Sequence, residues 1–262
     1  MNPALWISKT GLDAQQTDIS VISNNLANAS TVGFKKSRAV FEDLLYQTIN
    51  QPGGLSSANT ELPTGLMLGA GAKVTATQKT FTQGNLLSTD NSMDWTIQGR
   101  GFFQILLPDG NIAYTRNGQF TLNEDGQMVT NGAGYELQPA INLPPDAQSM
   151  TVSVDGEVSV RQPGNTDNVV VGNVTIVDFV NPSGLEPIGE NLYLETGSSG
   201  AATEGTPSLD GLGSIRQGVL ETSNVNVTEE LVNLIESQRV YEMNAKVISA
   251  VDQMMSYINQ QL

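Results

Sequence analysis

Any chemistry in this chain would have to come from carboxylates. The sequence holds 27 Asp and Glu but no Cys and no His. Those zeros exclude a thiol nucleophile, an imidazole base, a disulfide and a His/Cys zinc site. Paired carboxylates remain, the acid and base of glycoside hydrolysis. The candidate pairs are Glu124/Asp125, Asp155/Glu157 and Glu186/Glu190. No spacing gives any of them a defined partner, and turns favour Asp. They read as surface and turn residues of an acidic domain. Gly99-Arg100-Gly101-Phe102-Phe103 has two of the glycines of a phosphate loop. It lacks a third Gly and the Lys-Ser/Thr, and it runs into a strand-like stretch. No EF-hand loop is present. No catalytic, cofactor-binding or metal site is expected.

The elements that would carry such residues differ along the chain. The 262 residues have a net charge of −15, unevenly placed. Residues 1–50 balance to zero, residues 51–220 carry −11, and residues 221–262 carry −4. A chain this acidic lacks the basic face that a nucleic-acid partner requires. The opening MNPALWISKTGLDAQQ has neither a cationic start nor a run of apolar residues, so no cleaved secretory signal is predicted. No apolar run approaches the length of a membrane span.

The first segment predicts a helix. Asn2-Pro3 supplies a cap and a proline at the first helical position. Leu5, Leu12, Ile19 and Leu26 recur at seven-residue steps, with Ile22 beside them, which places a narrow apolar stripe on one face. Gly11 costs such a helix about 1 kcal/mol relative to Ala. The Asn-rich run at 24–28 should end it, since Asn competes for local backbone bonds.

The last segment is the strongest helical signal. Residues 228–260 contain no Gly and no Pro. Leu231, Leu234, Gln238, Tyr241, Ala245, Ile248, Asp252 and Met255 fall at alternating three- and four-residue steps. Thr228 is placed to cap, with Glu229 and Glu230 in the first turn. The helix would be about 50 Å long. Polar Gln238 and Asp252 within the stripe suit an assembly that specifies register.

Between the helices the pattern is β-like. Asp109-Gly110, Asp125-Gly126 and Asp155-Gly156 each adjoin β-prone runs and predict hairpins. Residues 50–72 and 196–214 are rich in Gly, Ser, Thr and Pro and read as loops or extended connectors. Lys35-Lys36-Ser37-Arg38 is a small basic cluster. It reads either as a solvated loop or as a contact for an acidic neighbour, for which the net −11 middle of the same chain is the obvious supplier. The fold class predicted is α+β, with long coiled-coil-type terminal helices flanking a β-rich middle. The expected division is a helical assembly core at 1–33 and 226–262, connecting extended or β segments at 34–95 and 196–225, and a β-rich outer domain at 96–195.

Several ordered motifs bear a family resemblance. NNLANASTVGFK at 24–35 resembles the N-terminal signature of bacterial flagellar rod and hook proteins. Residues 221–254, ETSNVNVTEELVNLIESQRVYEMNAKVISAVDQM, resemble that family's C-terminal region. The matching positions are Asn24, Asn25, Leu26, Gly33 and Phe34 near the start, and Ser223, Asn224, Asn226, Gln238 and Arg239 near the end. GRGFFQILLPDG at 99–110, YTRNGQF at 114–120 and GENLY at 189–193 also fit. The stretch at 46–71 is similar to one typical of distal-rod members and generally lacking in hook and proximal-rod relatives.

The resemblance implies a structural subunit of the distal rod, not an enzyme and without a cofactor. Such a subunit polymerises into a hollow helical drive shaft across the periplasm and transmits torque from motor to hook. It implies as partners further copies of the chain, proximal rod proteins, the hook protein, the periplasmic and outer-membrane flagellar rings, and the flagellar export apparatus. Export without a cleaved signal would follow. Leu5, Leu12, Ile19, Ile22 and Leu26 are then expected to pack on Leu231, Leu234, Tyr241, Ala245, Ile248 and Met255 within and between copies. Gln51, Pro52, Leu62 and Pro63 lie in the stretch expected to reach neighbouring subunits. A hook or proximal-rod subunit, and a secreted carboxylate hydrolase, are the alternatives.

Overall fold

The computed structural model describes residues 3–51, 55–57, 60–61, 64–164 and 168–261. Asn2, Pro52, Leu62 and Pro63, named above, lie outside the described residues. The architecture is α+β: one helix, a long β-rich stretch, and a second helix. The chain forms two compact units, Met1–Ala27 with Ser37–Lys79 and Asn226–Leu262, and Asn28–Lys36 with Thr80–Val225.

The first unit holds both helices. Helix α1 spans Pro3–Ala27 and stops inside the predicted Asn-rich run. Helix α2 spans Val227–Gln261, 35 residues and about 52 Å long. Asn226, rather than Thr228, caps it. Asn226 Oδ1 accepts the Thr228 N–H at 3.1 Å, and its carbonyl accepts the Glu230 N–H at 3.0 Å. An Asn in the non-helical cap position reaches the second helical amide, which leaves Thr228 within the first turn. Among the described residues, three antiparallel ribbons complete the unit, one of them Leu55–Ser57 with Thr60–Glu61. Ser37–Asp43 pairs with Ala72–Lys79, and Tyr46–Asn50 pairs with Leu66–Gly69.

The second unit is antiparallel β. Its main sheet has seven strands, in the order Phe120–Leu122, Met128–Thr130, Glu136–Gln138, Phe103–Leu106, Ile112–Thr115, Leu192–Leu194 and Glu186–Gly189. All three Asp-Gly pairs turn hairpins: Phe103–Leu106 into Ile112–Thr115, Phe120–Leu122 into Met128–Thr130, and Ser149–Val152 into Glu157–Arg161. Gly110, Gly126 and Gly156 all have positive φ, which glycine supplies without a Cβ penalty.

Strand alternation sends side chains to both sheet faces. Phe103, Ile105, Ala113, Leu137 and Leu192 join Trp95 and Phe120 in one core. Phe102, Tyr114 and Tyr193 join Phe179, Val177 and Leu185 in a second. Trp95 Nε1 donates to the Ser92 carbonyl at 2.9 Å, which satisfies its one polar atom. No described helix is long and apolar enough to cross a membrane.

Candidate functional site

The first candidate is the seam where α1 meets α2, within the first unit. It is polar and small-residued. Ser237 Oγ donates to Asp18 Oδ2 at 2.7 Å. Asn25 Nδ2 donates to Glu230 Oε2 at 3.3 Å. Gly11 faces Asn244, whose amide nitrogen would lie 3.0 Å from a Cβ at that position. On α2 these partners step forward by seven residues, 230, 237 and 244. On α1 they step backward by seven, 25, 18 and 11. That is an antiparallel heptad register. Ser8, Ile22 and Asn25 on α1, and Glu230, Ser237 and Val251 on α2, are buried.

The apolar stripe read from the sequence is only partly covered within one chain. Ile22 is buried, while Leu5, Leu12, Ile19, Leu26, Leu234, Ala245 and Ile248 are half-buried. Leu231, Tyr241 and Met255 are exposed. Gln238 and Asp252, expected as polar seam positions, are exposed as well. Exposure extends to Trp6 and Ile7 on α1 and to Ile235, Met243, Val247, Met254 and Ile258 on α2. The isolated chain therefore joins its helices through polar groups together with buried Ala14, Ile22 and Val251, and leaves much of their apolar surface open.

Asn25 also fixes the end of α1. Its Oδ1 accepts the Ser37 N–H at 2.9 Å, and its Nδ2 donates to the Ser37 carbonyl at 2.7 Å. The side chain thus pairs with a backbone as a strand would, and it is 1% exposed. Asn24, beside it in the signature, is exposed.

The second candidate lies within the second unit, where the segment Asn28–Lys36 docks. Gly33 turns with φ +72°, and a Cβ there would sit 2.8 Å from the Asn117 nitrogen. Its N–H donates to the Glu221 carbonyl at 2.9 Å. Phe34 is buried beside it. Lys35 is fully buried, and its ammonium donates to Glu221 Oε1 at 2.5 Å and to the Thr82 carbonyl at 2.7 Å. Glu221 Oε1 also accepts the Gly84 N–H at 2.8 Å. Glu221 Oε2 has no hydrogen bond and lies 3.6 Å from Arg116 Nη1. Arg116 Nη2 donates to the Gly99 carbonyl at 2.8 Å, and the guanidinium stacks 5.2 Å from the Phe102 ring centroid. Asn224 closes the arrangement. It accepts the Lys36 N–H at 2.7 Å and donates to the Thr80 carbonyl at 2.8 Å.

Two cations thus share one carboxylate in a buried site. Burial lowers the Lys35 pKa, and Glu221 opposes that shift. Burial likewise lowers that of Arg116, against the pull of Glu221 and Asp178. Lys35 is therefore not in a solvated loop but turned toward an acidic neighbour, Glu221. Its partner is in its own chain, 186 residues away. No local signal in the sequence marked Glu221 as buried. Of the remaining basic cluster, Arg38 is exposed and bonds Gln78.

The carboxylate pairs Glu124/Asp125, Asp155/Glu157 and Glu186/Glu190 are all exposed on turns and strand ends. Gly99 and Gly101 form a bend, and Arg100 between them pairs with Asp178 at 2.8 Å. Of the signature residues, Asn25, Gly33, Asn224 and Asn226 make structural hydrogen bonds, while Asn24, Gln238 and Arg239 are exposed. Asn25 ties the end of α1 to Ser37, and Asn226 caps α2.

Family models match at three places. The flagella basal body rod protein model matches residues 6–35, the flagellar hook protein FlgE/F/G D1 domain matches 96–160, and the flagellar basal body rod FlgEFG protein C-terminal region matches 216–261. A flagellar basal-body rod protein FlgG from Buchnera aphidicola subsp. Schizaphis graminum is 56% identical over 260 residues, 99% of this chain and 100% of that one. The chain belongs to the flagellar basal-body rod protein family. The FlgG of Caulobacter vibrioides is 46% identical over 258 residues, 98% of both chains. A FlgF of the same organism is 33% identical over 254 residues, 95% of this chain and 93% of that one. The N-terminal family match covers Asn25 and Lys35, and the C-terminal match covers Glu221, Asn224, Asn226 and Glu230. Both partners of the Asn25–Glu230 and Lys35–Glu221 pairs thus fall in matched sequence.

Proposed function

We propose that the chain is the structural subunit of the distal flagellar rod in the basal body, a drive shaft built from many copies and without catalytic chemistry. One observation carries the assembly reading. Within a single chain α1 and α2 meet through Asp18, Asn25, Glu230 and Ser237, while Trp6, Ile235, Tyr241, Val247 and Met255 stay exposed. Exposed apolar surface on this scale marks an interaction face. Repeated heterologous contacts between such faces generate open helical filaments rather than closed rings.

The identity to FlgG over the whole chain, higher than to FlgF, favours the distal-rod reading over other rod positions. The terminal helices would form the inner tube and the β-rich unit the outer layer. The ribbon of Tyr46–Asn50 with Leu66–Gly69, whose Tyr46, Ile49, Leu66, Met67 and Leu68 are exposed, would bear on a neighbouring copy. Proximal rod, hook, the flagellar rings and the export apparatus are its proposed partners.

Ile235→Glu and Val247→Glu test the reading. Both residues are exposed, so the monomer should keep its circular dichroism and melting behaviour. Incorporation into basal bodies should fail, because burying an unpaired carboxylate costs several kcal/mol. Normal rods from both variants would overturn the assembly face.

A further inference from the structure

The dipeptide most prone to spontaneous deamidation, Asn-Gly, occurs twice, at Asn117-Gly118 and Asn131-Gly132. Both lie in the second unit, yet their surroundings differ. Asn117 Oδ1 is held by the Gln119 N–H at 3.1 Å, and its own N–H donates to Thr115 Oγ1 at 3.0 Å. The Gly118 carbonyl accepts the Trp95 N–H at 2.9 Å, so the following backbone is tied to the core. Asn131 is exposed on the turn between Met128–Thr130 and Glu136–Gln138. Its backbone N–H is fixed to the Gln119 carbonyl at 3.0 Å, but its side chain makes no hydrogen bond among the described residues. Gly132 has φ +116° and open space around it. Its N–H likewise makes no hydrogen bond among the described residues.

We infer that Asn131 is a self-modification site of this protein, converting to aspartate or isoaspartate while Asn117 stays intact. The Gly132 backbone nitrogen attacks Asn131 Cγ. The N–Cγ bond forms, the Cγ–Nδ2 bond breaks, and ammonia leaves with the amide proton. The resulting succinimide takes up one water at either carbonyl to give aspartate or isoaspartate. Water is the only co-reactant, and no oxidation state changes. The absence of a side chain on Gly132 leaves the attack unhindered. At Asn117 the same attack must first break the hydrogen bonds that hold its side chain and backbone.

The product changes one local field. Asn131 and Glu190 line the same open depression of about 270 Å³, with Thr130, Tyr135 and Asn191. Conversion adds a second negative charge there. In the isoaspartate form it also adds a backbone carbon to the turn.

The test is fragment-ion mass spectrometry of the full-length protein aged at mildly alkaline pH. The amide-to-acid mass gain is expected at Asn131, at least about tenfold faster than at Asn117, whose opening from packed structure is rate-limiting. The same chain unfolded in urea should convert both at similar rates. Asn131→Gln, which must close a slower six-membered imide, should remove the main signal. Equal or faster conversion at Asn117 in the folded protein would overturn the inference. So would an intact Asn131 in the urea sample, or an undiminished gain in the Asn131→Gln variant.

Discussion

Ser237 donates a 2.7 Å hydrogen bond to Asp18 across 219 residues of sequence, joining the middle of α1 to α2. That bond, with Asn25 to Glu230 and Gly11 against Asn244, sets the register of the helix pair by polar matching. Exposed apolar residues such as Trp6, Ile235 and Val247 are thereby left open on the helix pair.

Ser237→Ala removes a charge-assisted hydrogen bond from this seam. The expected cost is about 1.5 kcal/mol. Amide exchange along α2 should quicken correspondingly, while the sheet around Phe103 and Ile105 keeps its protection. Unchanged exchange in α2 would remove the register role from this pair.

Glu221→Gln strands Lys35 and Arg116 without their shared carboxylate. The expected loss is about 3–5 kcal/mol in urea unfolding, because two buried cations are left uncompensated. Lys35→Met should cost less, since Arg116 still faces Glu221 and the apolar replacement needs no partner. Equal losses in the two variants would contradict the shared-carboxylate arrangement.

Gly33→Ala tests the docked turn. A residue with φ +72° is strained for any side chain, and the added Cβ meets the Asn117 backbone. A loss of about 2 kcal/mol is expected in chemical unfolding. A variant as stable as the parent would show that the turn can move away from Asn117.

Alkaline stability reports on Tyr193. Burial raises its pKa well above the usual 10.0, and Arg116 opposes the shift only in part. The unfolded chain therefore loses the tyrosine proton first. The stabilisation is complete below pH 10 and declines as pH rises beyond it. Above pH 10 the parent should lose stability faster than Tyr193→Phe by about 1.4 kcal/mol per pH unit. Comparing these two proteins cancels the contribution of Lys35, whose pKa is lowered and whose effect runs the other way. Parallel stability curves would show that Tyr193 is not desolvated.

The hairpins were legible because Asp-Gly encodes backbone conformation directly, and Gly110, Gly126 and Gly156 adopt it. The helices were legible from periodicity and from the absence of breakers. Their mutual seam was not. Leu231 and Met255 mark an apolar face but not what covers it, whereas Ser237 and Asp18 attract no notice until they are seen together. Asn226 was passed over as a cap for Thr228, two positions into α2. Lys35 looked like part of a solvated cluster because its partner, Glu221, lies at the other end of the chain. Local patterns give elements, and long-range polar pairs escape them. The Asn-rich run around Asn25 was legible as a helix stop, whereas only the family resemblance singled out the segment around Asn224.

Thiol labelling tests the central claim most directly, because the chain has no cysteine of its own. Ile235→Cys would place a single thiol on the exposed apolar face of α2, and Val180→Cys would place a control on the β-rich unit. Both should react freely with maleimide in the isolated chain. In assembled rods the thiol at position 235 should become unreactive. A position-235 thiol that labels as fast in the rod as in the free chain would contradict the account.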